Sequence, residues 1–336
     1  MSGPVLVSGG SGVVGRALIG QLVADGRQVR ALARSDESAR TVELLGAQVA
    51  RGDVLDPASL RAAAEGCATI FHVAGINAMC LHDPRPMMRA NVEGSANAVR
   101  AAAEAGVERV VYTSSSSAIG ESPGTVGRED SPHRGWYLSE YERSKHLAER
   151  RVFELAGELG VPVVAVNPAS VQGPGRATGS ARLLLDVVNG RLPLLLETTI
   201  SLVDIGDCSE GHLLAESRGK PGERYLLSGS TITTREAVEV LERIWGLRRE
   251  VRFGPPWLAK AGGAVIGTGA RLLRRDATVC PEAVRTLLHG HRYDGSKATR
   301  ELGLRYTPLE VTLLRTLEWY AAQGLVLSAR GQRART

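Results

Sequence analysis

A doubly wound α/β fold, with a parallel sheet carrying helices on both faces and a smaller, interleaved C-terminal lobe, is predicted by three features of this chain. Short β-branched runs alternate with longer Ala/Leu/Arg segments through the first half, as in successive βαβ units. A glycine-rich turn stands between the first such run and the first helical pattern. After Asn167-Pro168 the alternation breaks, so a less regular substrate-covering lobe is expected there.

Taken in order, the predicted strands are 5–7, 29–33, 47–50, 69–73, 109–113 and 161–166. Helical patterns lie between them at 15–24, 59–65, 86–105 and 137–159. Right-handed crossovers between six such strands yield the doubly wound sheet. Beyond residue 167, strand-like pieces at 200–203 and 224–227 mix with helices at 234–245, 281–288 and 309–323, and Gly254-Pro255-Pro256 marks a connection. The expected division is residues 1–167 for nucleotide binding, with late strands near 199–228 returning to that sheet. Residues 168–328 mainly form the substrate lobe, and 329–336 a basic tail.

Composition excludes several classes of function. The chain has 336 residues, 43% of them apolar and 23% charged, which is ordinary for a globular protein. Its net charge of +5 comes from scattered arginines and only 4% of its residues are aromatic, so no nucleic-acid interface is expected. Cys67, Cys80, Cys208 and Cys280 are far apart and lack C-x-x-C spacing; reduced thiols, a cytoplasmic location and no metal are the expectations. The N-terminus carries no secretory pattern. The most membrane-like stretch, 257–273, is short and interrupted by Lys260, Arg271 and glycines, so no integral membrane segment is expected. It reads as a lid or pocket helix, or else as an amphipathic helix lying on a surface.

Immediately after the first strand comes Ser8-Gly9-Gly10-Ser11-Gly12-Val13-Val14-Gly15. Glycines let a backbone turn tightly and approach a pyrophosphate, whose charge meets the free N–H groups at the helix start. The second strand runs into Arg34-Ser35 where an NAD site would normally present an acid to the ribose. A guanidinium there suits a 2′-phosphate and Ser35 can add a hydrogen bond, so NADP (NADPH) is expected over NAD. In the other reading, Arg34 is solvated and Asp36 reaches the ribose. Gly52-Asp53-Val54 would put an acid and an apolar edge beside adenine, or simply form a turn.

Lysine is scarce: only Lys145, Lys220, Lys260 and Lys297 occur, and Lys145 lies four residues after Tyr141. On a helix that spacing puts both side chains on one face, where an ammonium favours ionisation of a phenol. Seven tyrosines and four lysines would produce one such pair by chance roughly one time in twelve, so the context must carry the assignment. His72 at a strand end reads as packed and hydrogen-bonded. His289-x-His291 reads as no metal site, because no carboxylate or cysteine cluster accompanies it in the sequence.

These motifs, with Phe71-His72-Val73-Ala74, Asn91-Val92-x-Gly94, Tyr112-Thr113-Ser114-Ser115, Asn167-Pro168, Gly173-Pro174-Gly175 and Val203-Asp204-Ile205-x-Asp207, resemble the extended short-chain dehydrogenases/reductases in order and span most of the chain. The wording is most similar to the dihydroflavonol-reductase and 3β-hydroxysteroid-dehydrogenase branch. The resemblance implies a Rossmann-type fold and a catalytic Ser115–Tyr141–Lys145 set. Tyr141 would exchange a proton with the substrate oxygen, Lys145 would lower its pKa and hold the nicotinamide ribose, and Ser115 would bind the carbonyl. Asn91 would support the cofactor side or a water relay. Val73, Ala74, Thr113, Pro168 and Val171 would line the nicotinamide half. Ser117, Trp136 and Asn167 would face substrate. The pocket would be built by 136–137, 172–185, 191–200 and 257–273. Dehydratases of this outline carry an acid pair after the active-site hydroxyl; Ser116-Ser117-Ala118 stands here, so dehydration is not expected. The implied activity is NADP-dependent reduction of a ketone or aldehyde in a small, partly apolar metabolite. The alternatives are a nucleotide-sugar epimerase, to which Arg176, Arg182 and Arg191 could offer diphosphate contacts, and a non-catalytic dinucleotide sensor. A homodimer through helices 86–105 and 137–159 would follow the family's habit, though monomers also occur in it.

Overall fold

Alternate residues of the central strands are buried in opposite directions, which is why these runs are apolar throughout and do not alternate with polar residues. Val5, Val7, Phe71, Val111, Val164 and Val166 pack into one core layer, while Leu6, Ile70, Val110, Val163 and Ala165 pack into the layer on the other face. In the computed structural model the described residues are 3–192, 194–247, 251–277 and 279–326. The tail expected at 329–336 lies outside them.

The first half runs β1 (Val5–Ser8), α1 (Val13–Ala24), β2 (Val29–Ala33), α2 (Asp36–Leu44), β3 (Gln48–Arg51), α3 (Pro57–Ala64), β4 (Thr69–His72), α4 (Arg85–Glu104), β5 (Arg109–Thr113), α5 (Glu140–Leu159) and β6 (Val163–Pro168). It continues with β7 (Ser170–Gln172), α6 (Ser180–Val188), β8 (Leu195–Leu196), β9 (Thr199–Asp204), α7 (Ile205–Arg218), β10 (Arg224–Leu227), β11 (Ser230–Thr233), α8 (Thr234–Trp245), β12 (Phe253–Gly254), α9 (Pro256–Leu272), α10 (Pro281–His289) and α11 (Leu309–Ala322). The main sheet has seven parallel strands in the order β3-β2-β1-β4-β5-β6-β10. The order reverses between β1 and β4, and the crevice beyond their C-terminal ends is where ligands of such sheets bind.

The doubly wound fold is therefore as the sequence predicts, with a separate lobe built on α6, α8 and α11 around Leu185, Leu241, Leu317 and Tyr320. Of the late strands, β10 joins the main sheet beside β6, whereas β9 pairs with β11 and β7 in a small sheet of its own. The sequence reading has no counterpart for α2, α6 or α7. In α2 only Ala39 and Val42 are buried, too few to make an apolar stripe; the helix is started by Ser35, whose hydroxyl accepts from the Ser38 N–H. No helix among the described residues is long and apolar enough to cross a membrane.

The expectation of four reduced thiols is corrected at one pair. Cys80, in the loop after β4, forms a disulfide with Cys280, the N-cap of α10, across 200 residues and with Cα atoms 5.6 Å apart. Cys67 and Cys208 are free and buried. Spacing along the chain carries no trace of such a pairing, because the fold alone brings the two segments together.

Candidate active site

The glycine turn folds as its composition demands. Gly9 takes φ +75°, and a Cβ there would lie 2.6 Å from the Ala74 backbone nitrogen, so the turn packs directly against the chain leaving β4. A Cβ on Gly15 would lie 2.2 Å from the Gly9 carbonyl oxygen. Helix α1 starts at Gly12 with no side-chain cap, which leaves the N–H groups of its first turn for an anionic ligand. Gly15→Ala should therefore spread the turn and weaken dinucleotide binding by about tenfold or more, read by nucleotide fluorescence titration. Unchanged affinity would contradict this role for the turn.

One cavity of about 1140 Å³ runs from this turn, past Asp53 and Val54, to Tyr141 and Lys145, and on beneath α6, α8 and α10. Its length and the uncapped N-terminus of α1 fit an extended dinucleotide with substrate beyond it. Gly9, Ser11, Gly12, Val13, Val14 and Gly15 all border it at the end nearest the turn. Val73, Ala74, Thr113, Pro168 and Val171 border it at the far end.

Ser115 and Tyr141 reach the cavity from different elements. Ser115 follows β5, and its hydroxyl caps the short 3₁₀ turn Ser116–Ala118 while lying 2.9 Å from the Ser117 hydroxyl. Tyr141 is in the first turn of α5, whose start is fixed by the Ser139 hydroxyl accepting from the Glu142 N–H. Burial pushes the Tyr141 phenol upward, opposed by a hydrogen bond with Ser115 and by the charge of Arg176. Lys145 is held one turn further along α5, donating to the Thr113 carbonyl at 2.8 Å. Burial lowers its ammonium to about 8, against the pull of Glu149. Arg176, for which the sequence suggests only a diphosphate contact, thus adds its charge at Tyr141.

Three further candidates stand off the cavity wall. Asn91 is buried in α4; its amide oxygen accepts from the Ile76 N–H at 2.7 Å and its amide nitrogen donates to the Ser144 hydroxyl at 2.8 Å. It thereby ties the loop after β4 to the helix carrying Tyr141. Asn167 is also buried, donating to the Ser115 carbonyl at 3.0 Å and to Glu149 at 2.6 Å. Trp136 is 48% exposed, with the Arg134 guanidinium over its ring, and Ser117 remains the substrate-side candidate that borders the cavity. Nor does 257–273 line the pocket: that part is taken by Ala283, Thr286 and Leu287 of α10.

His72 is packed and bonded at both ring nitrogens, to the Ser8 hydroxyl at 2.8 Å and the Ser95 hydroxyl at 3.1 Å. Burial, aided by the nearby Lys145 charge, lowers it to about 3. A histidine depressed in the folded state contributes stability that is complete above its ordinary value of 6.5 and is lost as pH falls toward about 3. His72→Gln should flatten the dependence of Tm on pH across that window, as measured by thermal melts; an unchanged slope would discount His72 as a source.

The fold also supplies the carboxylate that the sequence lacks beside His289 and His291. Glu121, just past the serine run, lies 3.3 Å from His289 Nε2 and 2.7 Å from His291 Nδ1. Burial pushes Glu121 up, but its hydrogen bonds to the two histidines prevail and bring it to about 2. The two segments are 170 residues apart, so no motif could have joined them.

The chain belongs to the NAD dependent epimerase/dehydratase family, whose profile matches residues 5–227. Similar proteins include one from Synechocystis sp. provisionally named dihydroflavonol 4-reductase, 32% identical over 95% of each chain. Another is sterol demethylase protein B of Methylococcus capsulatus, 31% identical over 96% of this chain and 99% of that one. Among solved structures, MoeE5 in complex with UDP-glucuronic acid and NAD is 25% identical with a TM-score of 0.73, covering 96% of this chain and 100% of that chain. The family and its relatives make the chain an NAD(P)-dependent oxidoreductase or epimerase acting on a small molecule.

The expectation of NADP as cofactor, and of an NADP-dependent enzyme, is corrected. The solved relative holds NAD. The side chains set aside for a 2′-phosphate are otherwise engaged: Arg34 pairs with Asp53 at 3.5 Å, and the Ser35 hydroxyl caps α2.

Proposed function

We propose that the chain is an NAD-dependent enzyme that interconverts a secondary alcohol and a ketone on a small metabolite, with Tyr141 carrying the proton. The observation behind this reading is that the Ser115 hydroxyl and the Tyr141 phenol border one cavity with the Lys145 ammonium, continuous with an uncapped helix N-terminus. NAD, when bound, supplies hydride exchange at the nicotinamide. Ser115 orients the substrate oxygen. Tyr141, kept neutral by burial, gives that oxygen its proton or takes it back. Lys145 holds the ribose side and, with its ammonium at about 8, replenishes the phenol's proton near neutral pH.

Two outcomes share this chemistry. Epimerisation of a nucleotide sugar is favoured by the solved complex with UDP-glucuronic acid, and Arg176 on the cavity wall would meet the diphosphate. Net redox of an apolar alcohol or ketone, the dihydroflavonol-reductase or hydroxysteroid-dehydrogenase type of reaction, is favoured by the substrate end of the cavity, where Leu183, Leu184, Val187, Leu195, Val238 and Leu241 converge. Incubation with ketones and with UDP-sugars, followed by NADH absorbance and product analysis, separates them: net redox consumes NADH stoichiometrically, whereas epimerisation interconverts sugars without net consumption. Parallel titrations should give tighter binding of NADH than of NADPH. Tighter NADPH binding, or no turnover with either substrate class, would overturn the proposal.

A further inference from the structure

Helix α9 presents an apolar face that nothing in the described structure covers. Trp257 is 66% exposed, Val265 74% and Leu272 80%. With Ala261, Ala264 and Thr268, also exposed, they recur at the three- and four-residue spacing that places side chains on one side of a helix. Leu273 extends the patch at 70% exposure. The opposite side is committed: a Cβ on Gly263 would lie 2.8 Å from Val284 Cγ2 and one on Gly267 2.9 Å from Pro281 Cδ, so α9 is seated on α10 through its glycines. A solvent-facing helix normally reverses this arrangement and turns its charges outward.

Within α9 and the turn after it the charges are all of one sign; the first acid is Asp276, whose carboxylate accepts from the His82 N–H at 2.7 Å. From Pro256 to Arg275 the sequence contains Lys260, Arg271, Arg274 and Arg275 and no acid. Lys260, Arg274 and Arg275 are exposed, and none of these three forms an ion pair among the described residues. At 17 residues, interrupted by Lys260 and glycines, α9 is too short to span a bilayer. An apolar stripe with a tryptophan at one end and unpaired cations beside it matches a helix lying in the headgroup plane of an anionic bilayer.

We infer that α9 docks the protein on the surface of an anionic phospholipid membrane, with Trp257, Val265 and Leu272 entering the acyl boundary and Lys260, Arg274 and Arg275 facing the headgroups. Because α10 forms part of the cavity wall through Ala283, Thr286 and Leu287, docking would bring that wall next to the lipid. The inference is independent of which substrate the cavity takes.

The test is flotation of the full chain with phosphatidylcholine vesicles containing about one phosphatidylglycerol in three, beside pure phosphatidylcholine vesicles. Wild type should float with the anionic vesicles and several-fold less with the neutral ones. The double variant Val265→Asp/Leu272→Asp should partition about tenfold less or worse, with NADH binding unchanged as the check on folding. Lys260→Glu with Arg275→Glu should lose the preference for anionic lipid. Should a variant fail to fold, quenching of wild-type tryptophan emission by bromine-labelled acyl chains reads the same insertion. Absence of flotation and quenching would overturn the inference. So would wild-type partitioning by the folded double variant, or a concentration-dependent dimer, abolished by that variant, without vesicle binding.

Discussion

Tyr141→Phe is expected to lower turnover by about 10²-fold or more and to leave NADH affinity near that of wild type. The aromatic ring remains, so the first turn of α5, its Ser139 cap and the cavity wall are kept; only the hydroxyl, and with it the transferable proton, is removed. Burial holds the phenol protonated, which suits it to donate. The measurement is single-turnover conversion of whichever substrate class proves active, together with NADH fluorescence titration. Residual turnover within a few-fold of wild type would remove Tyr141 from the proton path. Loss of turnover together with loss of NADH binding would point to collapse of the site.

Arg134→Ala is expected to cost about 3–5 kcal/mol of stability, because it strands a buried carboxylate. The Arg134 and Glu142 side chains are only 2% and 3% exposed and are paired directly. Glu142 also accepts from the Leu138 N–H at 2.9 Å, and Arg134 donates to the Glu121 carbonyl at 3.0 Å, so the pair knits the approach to α5 to the serine turn. Burial already pushes the Glu142 carboxyl up to about 7, with Arg134 opposing. A carboxyl raised above its ordinary 4.5 favours the folded state at low pH and withdraws that support as pH rises through its folded value. Removing the guanidinium raises it further. The stability deficit should therefore be largest above about pH 8 and shrink toward pH 5, where Glu142 is protonated, as read by urea denaturation at a series of pH values. A pH-independent loss below about 1 kcal/mol would mean that the pair is not stabilising in this way.

Signals that act over short stretches of chain were legible in the sequence. The strand–glycine turn–helix unit, the alternation that builds the sheet and the Tyr141/Lys145 spacing are all decided by residues within a few positions of one another. The features that were not legible are joined only by the fold. Glu121 meets His291, Cys80 meets Cys280, and the charge of Arg176 reaches Tyr141 across the cleft. The cofactor expectation failed for the same reason. Arg34 stands at a strand end, and the acid that occupies it, Asp53, comes from the next βα connection. Helix α7 is buried on several sides, with Asp207, His212 and Glu216 among its enclosed residues, so its sequence shows no apolar stripe.

The bond between Cys80 and Cys280 makes a ring of most of the molecule. β5, β6, the α5 helix with Tyr141 and Lys145, and the small β9 sheet all lie on the closed arc, while the glycine turn lies on the open N-terminal arm. Closing a loop of 200 residues restricts the unfolded chain by roughly 5 kcal/mol in the chain-entropy account. It also means that a single cut anywhere on the arc leaves the pieces joined: a nicked molecule would migrate as one covalent species until a reductant is added. Whatever severs the backbone between those two cysteines, the halves of the active site stay tethered.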